Sequence, residues 1–276
     1  MFELDALGTH WWIEPLAGAR LSDELQQQLT DRIRTFERTY TRFTDTSLLG
    51  RLNKYKYLTD SSEEFRDMLV FARDLQRQTD GIFNISVGGE LVRRGYGQLK
   101  EHGSVSGSFW DKVVINDTEV SIPDDIVLDF GGFGKGWLID QLGVLLRGAY
   151  VEQFVIDGGG DILVSSDEPI ELALERPYDP GKAIGSTRIT HGALAVSSSV
   201  KRTWNKDGQR QHHIIDPRTQ APSVSDIVCT YVRASSALIA DVCATVLLIA
   251  PDVEPRLAEA YSLKTILLRQ NQLSAA

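Results

Sequence analysis

Cysteine and methionine are scarce in this chain, with two of each among 276 residues. Cys229 and Cys243 are too few for a disulfide framework and fit a reducing compartment. Positive charge is also in deficit. Lys and Arg number 29 against 38 Asp and Glu, a formal net charge of -9. That argues against broad binding to nucleic acid or to an anionic membrane surface, while leaving room for a local cationic pocket. Long hydrophobic runs are missing. The stretch Ala234–Ala250 carries Asp241 in its middle and falls short of the ~20 apolar residues that span a bilayer, so it reads as a buried helix. Zinc-site spacing is absent, since there is no His-x-x-x-His and neither cysteine has a second one nearby. Ser197-Ser198-Ser199 is not a nucleophile elbow. Cys243 lies in an apolar helix, where a thiolate is disfavoured. The first residues, Met1–Asp5, have no basic or apolar leader character, so the expectation is a soluble, cytoplasmic protein.

What is present is ordinary globular material. Hydrophobic residues make up 42% and charged residues 24%, which excludes a disordered or fibrous chain. The strand signal opens at Thr9–Glu14. A helix is expected over Leu21–Tyr40, with Ser22 as cap and Leu25, Leu29, Ile33 and Phe36 as its apolar stripe. A second helix follows Asp60-Ser61-Ser62-Glu63, read as a capping box, with Gly81 past its end. Gly81–Gly97 is too irregular for a regular element. Short strands are expected at Lys112–Ile115, Glu119–Ile122 and Val127–Phe130, then a helix after Gly136 to about Leu146. Further strands are expected at Phe154–Asp157, Ile170–Glu175, Leu194–Val196, Gln211–Ile215, Val228–Arg233 and Leu263–Leu268, with helices at Ser236–Ile249 and Glu254–Tyr261. Mixed runs of this kind indicate α+β. With no linker or repeat in view, the expectation is one structural unit, 1–276, with a smaller lobe around 47–107.

Three clusters can carry chemistry. Asp129-Phe130-Gly131-Gly132-Phe133-Gly134-Lys135-Gly136 is a glycine-rich strand-to-helix turn. It either presents backbone N–H groups and a lysine to an anion or is simply a tight turn. Asp157-Gly158-Gly159-Gly160-Asp161 ends a strand between two carboxylates, and taken alone it reads as a hairpin turn. Asp241 and Thr245 are four residues apart and share one face of an apolar helix. A carboxylate there needs a partner. Either a hard cation such as Mg²⁺ uses the acid and the hydroxyl, or Asp241 pairs with Arg202 or Arg233 and Thr245 bonds its own backbone. His212-His213-Ile214-Ile215-Asp216-Pro217-Arg218-Thr219 adds a histidine pair of which one faces a site.

Taken in order, these segments resemble the ApbE family, the FAD:protein FMN transferases. Leu7-Gly8-Thr9 is similar to the family's opening Met-Gly-Thr. Thr41-Arg42-Phe43 with Ser47 and Arg51-Leu52-Asn53 is similar to its Ser-Arg-Phe and Arg-Leu-Asn segment, and Thr79–Asn84 to Thr-Asp-Gly-Ala-Phe-Asp. Asp129–Asp140 resembles the Asp-Leu-Gly-x-x-x-Lys-Gly signature, and Ile156–Ile162 its Gly-Gly-Asp-Ile strand end. His212–Thr219 is similar to His-His-x-x-Asp-Pro-x-Thr-Gly, and Asp241–Thr245 to Asp-Ala-x-x-Thr. The resemblance implies an α+β fold of mostly antiparallel mixed sheets with flanking helices, in two intertwined repeats. It implies Mg²⁺ held by Asp241, Thr245 and the Gly132 carbonyl. FAD contacts carry over to Leu7, Phe43 as a stacking surface, Ile82, Phe83, Asn84, Asp129, Lys135 and Ile215, and the site histidine to His213. It implies transfer of FMN from FAD to a Thr or Ser hydroxyl of an acceptor protein, with release of AMP. Lys135 would stabilise the pyrophosphate, with His213 or Asp241 as proton acceptor. An FAD pyrophosphatase and a non-catalytic FAD-binding protein are the alternatives. Leu7 for Met, Asn84 for Asp, Val196-Ser197-Ser198 for Thr-Ser-Gly and Gln220 for Gly depart from the family pattern.

Overall fold

The computed structural model describes residues 1–97 and 103–273. They divide into two compact units, each discontinuous in sequence. The first takes residues 1–37, 131–201 and 225–276, and the second 38–130 and 202–224.

The first unit is built on a seven-stranded sheet. Its order is Phe2–Ala6, Thr9–Pro15, Phe154–Gly158, Ile162–Glu175, Ala183–Ser198, Ile227–Ala234 and Lys264–Arg269. Every neighbouring pair is antiparallel. The first hairpin turns on Leu7-Gly8, both with positive φ (53° and 70°), the requirement of a two-residue turn that matches strand twist. The strands Ile162–Glu175 and Ala183–Ser198 run far beyond the apolar segments expected from sequence. Their outer halves carry Glu171, Ser186, Thr187 and Arg188. Cross-strand pairing holds these polar halves in the ladder, and a search for apolar residues passes over them.

Side chains alternate across this sheet. One parity, including Val155, Val164, Leu172, Leu174, Leu194 and Tyr231, forms a buried cluster. Helices Gly134–Gly148 and Ala237–Ile249 pack on each other and on the sheet. Their closeness depends on Gly136, where a Cβ would stand 2.6 Å from the Ala237 carbonyl oxygen. The helix Ala237–Ile249 starts at Ser236, whose hydroxyl accepts from Ile239 N. Asp140 adds a second cap, its carboxylate accepting from Ala237 N at 2.9 Å and Leu238 N at 3.0 Å. A half-buried carboxylate cap at a helix N-terminus satisfies orphan donors and opposes the helix dipole. Asp140, the last residue of the glycine signature, therefore orients the helix that carries Asp241 and Thr245.

The second unit has little regular sheet. Two-residue strands Tyr57–Leu58, Val120–Ser121 and Val114–Ile115 form one ladder, and Thr203–Lys206 with Gln209–His212 and Ile215–Asp216 with Ala221–Pro222 form two hairpins. Helices Leu48–Tyr55, Glu63–Gln78 and Gly88–Arg93 complete it.

Several expectations change here. The helix Glu63–Gln78 is capped by Ser62, which accepts from Phe65 N; Asp60 is instead held by both terminal nitrogens of Arg51. The glycine stretch 81–97 contains the helix Gly88–Arg93. Val127–Phe130 is not a strand and makes one parallel bridge, Val127 to Val87. Gln211–Ile215 splits between the two hairpins. The helix Leu48–Tyr55, unexpected from sequence, is capped by Ser47 through Gly50 N. Gly50 lies so close to the Thr44 carbonyl oxygen that a Cβ would stand 1.7 Å away.

Among the described residues, no helix is long and apolar enough to cross a membrane.

Candidate functional site

In the first unit the glycine turn, the strand-end turn and the apolar helix gather their polar side chains. Asp241 is 5% exposed, and its Oδ2 accepts from Gly136 N at 3.0 Å. The close helix packing that Gly136 permits thus sets the acid against the glycine turn. Thr245 lies one turn along the helix, its hydroxyl 3.0 Å from that of Ser197. The pairing of Asp241 with Arg233 is not seen; Arg233 donates to Thr187. Nor does Thr245 bond its own backbone. Gly132 sits half-buried in the turn that precedes the helix Gly134–Gly148.

Lys135 leaves the same turn and forms an ion pair with Asp161. Asp161 is 1% exposed, and its other oxygen accepts from Val196 N. The segment Asp157–Asp161 is the hairpin turn expected from Asp-Gly, with Gly158 N bonded to the Asp161 carbonyl. It is also the holder of Lys135, which the turn reading alone did not reveal. Burial pushes the Asp157 carboxyl above its ordinary range, and the Asp161 charge adds to the effect. Leu7 occupies the first hairpin turn, and its N–H donates to Glu37 Oε1 at 2.6 Å.

The donors of this unit suit a hard cation. Asp241, Thr245 and a turn carbonyl are all oxygens, with a single carboxylate among them. Mg²⁺ usually binds through one or two carboxylates plus substrate phosphates, keeping several waters, rather than in an all-protein cage. Among the described residues no group of three or more His, Cys, Asp or Glu side chains gathers into a metal cluster. Both thiols are buried and free. Loss of water pushes Cys243 up to about 12 and Cys229 to about 11, so neither is a nucleophile near neutrality.

The second unit gathers aromatic rings around a buried guanidinium. Arg42 is 2% exposed. Its Nε is bonded to Asp129, and an Nη donates to the Tyr96 carbonyl at 2.9 Å. The guanidinium carbon lies 4.5 Å from the centre of the Phe43 ring and 5.4 Å from that of Tyr96. Phe43 is 50% exposed and meets Tyr96 edge-on. Tyr96 in turn stacks on Trp204 at 5.1 Å and lies 6.4 Å from the His213 ring. Trp204 is fixed by its indole N–H on the Arg94 carbonyl.

His213 places Nδ1 3.4 Å from the Arg202 carbonyl oxygen. With Nδ1–H donated there, Nε2 is the proton acceptor. Loss of water around the ring, with the Arg202 charge, pulls His213 down to about 4, so it is neutral near pH 7. Asp129 is further placed through its backbone. Its N–H donates to Ile85 O at 2.8 Å, and Asn53 bonds both the N–H and the carbonyl of the preceding Leu128.

Ile82, Phe83 and Ile215 are buried hydrophobic residues. Asn84 is buried, donates to the Ser106 carbonyl at 3.1 Å and accepts from Ser86 N and Oγ. A carboxylate could not make the first of these bonds, so the departure from Asp has a structural counterpart. Gln220 stands at φ 55° where the family motif has glycine, the residue that conformation favours. Arg42 was legible only as the neighbour of Phe43. Trp204 carried no signal in the sequence; Tyr96, in the segment Leu91–Gly97 that resembles the family's Leu…Gly-Phe-Gly, and Ser197, opposite the Ser of Thr-Ser-Gly, stood in motifs without an assigned role. Tyr96 and Trp204 are far apart in the chain, and only the fold stacks them.

Fold and clusters together define an α+β protein with an oxygen-lined cluster beside a glycine turn in one unit and a ring-lined cluster in the other. The chain belongs to the ApbE family, whose pattern matches residues 7–267. It is 23% identical over 265 residues to the FAD:protein FMN transferase of Escherichia coli K12, covering 87% of this chain and 75% of that protein. Two solved structures share its fold. The ApbE protein of Thermotoga maritima superposes with a TM-score of 0.80 at 19% identity, over 99% of this chain and 97% of that one. The flavin transferase ApbE from Vibrio cholerae gives 0.79 at 22% identity, over 98% and 93%.

Proposed function

We propose that this chain transfers the FMN part of FAD to a threonine or serine hydroxyl of an acceptor protein, releases AMP, and requires Mg²⁺ to do so. The observation that carries the reading is Asp241. It is a buried carboxylate on an apolar helix, with Thr245 one turn on, and it is bonded to the glycine turn that bears Lys135. Family membership and the name of the E. coli relative support a flavin as the substrate.

The acceptor oxygen attacks the phosphorus on the FMN side. The phosphorus–oxygen bond to AMP breaks, AMP leaves with the bridging oxygen, and the hydroxyl proton passes to a base. Asp241, Thr245 and the Gly132 carbonyl are the groups that would hold Mg²⁺, which when bound neutralises charge growing on the pyrophosphate. Lys135, fixed by Asp161, supplies a positioned positive charge for the same purpose. Phe43 offers an exposed face to the flat flavin ring, and the guanidinium against it holds that face still. His213, neutral with Nε2 free to accept, is the candidate base. Asp241 is the second candidate.

The test is incubation of the protein with FAD and a cell extract, with and without Mg²⁺. AMP is followed by chromatography and protein-bound flavin by in-gel fluorescence. Mg²⁺-dependent AMP release together with a fluorescent band is expected. AMP and free FMN with no labelled protein would replace the transferase reading with a pyrophosphatase. Flavin binding without AMP would leave only a binding protein.

A further inference from the structure

In the first unit, Ser197 lies opposite Thr230 in the antiparallel strand pair, and the helix Ala237–Ile249 packs over both strands. Thr230 is fully buried. Its hydroxyl donates to the Ala244 carbonyl at 2.7 Å and lies 3.4 Å from the Ser197 carbonyl oxygen. One buried hydroxyl thus ties helix to strands beside Thr245. At this level the Ser197 hydroxyl comes 3.0 Å from that of Thr245.

A mid-helix threonine ordinarily bonds the carbonyl one turn back. Thr30 does so in this protein, donating to Gln26 O at 2.8 Å. Thr245 turns to the strand instead. A hydroxyl has one hydrogen and two lone pairs. If it is to offer a lone pair to a cation, its hydrogen needs another acceptor, and Ser197 Oγ is in place.

We propose that Ser197 is a positioning residue for the cation: it accepts the Thr245 hydrogen and leaves a Thr245 lone pair for a divalent ion held with Asp241. The inference rests on the cation reading above. Ser197 and Asp241 are 8% and 5% exposed, so little water is present to take over the task. Removing a partner that orients a metal ligand typically weakens affinity by about 10- to 100-fold.

The test uses the full chain without FAD, titrated with Mn²⁺ and followed by loss of the free-ion EPR signal. Ser197→Ala is expected to weaken Mn²⁺ binding about 10-fold or more, and Ser197→Thr, which keeps the hydroxyl, to stay within ~twofold of wild type. Both variants are expected to melt with the wild type in cation-free buffer. Wild-type affinity in Ser197→Ala, with binding lost in Asp241→Ala, overturns the role of Ser197 and leaves the cation reading standing. Wild-type affinity in Asp241→Ala as well, or no binding by the wild type, overturns both. Equal losses in Ser197→Ala and Ser197→Thr, with lowered melting temperatures, assign the effect to packing and also overturn the proposal.

Discussion

The two units hold their functional side chains by different means. In the first, regular elements do most of the work. A seven-stranded ladder and two packed helices fix the backbone, and Asp140 and Ser236 cap the helix that bears Asp241 and Thr245. In the second, strands of two to four residues supply few ladder bonds, and buried polar side chains take their place. Asn53 grips Leu128, Arg42 binds Asp129 and the Tyr96 carbonyl, and Asn84 ties Ser86 to Ser106. The difference teaches where each unit is vulnerable. On the proposed reading, the first would lose function through single oxygen atoms. The second loses the shape of its aromatic face when one buried polar contact is cut.

Arg42→Met puts that contrast under the greatest strain. It leaves Asp129, whose side chain is 13% exposed, without its guanidinium, and breaking a buried ion pair costs about 3–5 kcal/mol. Chemical denaturation should show this loss, with Arg42→Met/Asp129→Asn recovering part of it. A stability within experimental error of wild type would remove Arg42 as the centre of the second unit. Asn53→Ala comes next. It strands the N–H and the carbonyl of Leu128, at about 1–3 kcal/mol for each buried group, and flavin affinity should fall with stability because Asp129 follows directly.

The first unit answers more mildly to an equivalent cut. Asp140→Ala removes one of two caps and should cost ~1–2 kcal/mol, read from the melting temperature, with Mn²⁺ affinity lowered because the helix N-terminus frays. A larger loss than for Arg42→Met would reverse the comparison.

Near neutral pH the smallest effect is that of His213, which acts only in acid. His213 is pulled from 6.5 to about 4 in the native state. Between these values the native protein binds fewer protons here than the unfolded chain. This group therefore makes stability rise with pH across that window and contributes nothing above it. His213→Gln should flatten that part of the stability–pH curve. An unchanged slope would place the ring in ordinary solvent.

The first unit was the more legible in sequence. The helix stripe Leu25, Leu29, Ile33 and Phe36, the apolar helix around Asp241 and the glycine turn all have strong periodic or compositional signals, and they stand close to where they were expected. The second unit was less so, for a physical reason. Its order comes from single side-chain bonds between segments far apart in the chain, such as Asn53 to Leu128, which leave no periodicity. The family resemblance pointed to Phe43 and Asp129 without disclosing that Arg42 joins them. In sequence Asp161 is simply the end of an Asp-Gly turn; only the fold reveals that it pairs with Lys135.

On the proposed reading, oxygen groups of the first unit would serve the chemistry and the rings of the second would serve flavin binding. The most direct measurement compares Asp241→Ala and Phe43→Ala in two assays: FAD affinity by fluorescence quenching without divalent cation, and AMP release at saturating FAD with Mg²⁺ and acceptor. Asp241→Ala is predicted to lose ~100-fold or more in AMP release, since several kcal/mol of charge stabilisation goes with the ligand, while binding FAD nearly as wild type. Phe43→Ala is predicted to bind FAD about 10-fold more weakly, the worth of one aromatic stacking contact, and to keep its release rate once saturated. Equal losses by both variants in both assays would contradict the division of labour.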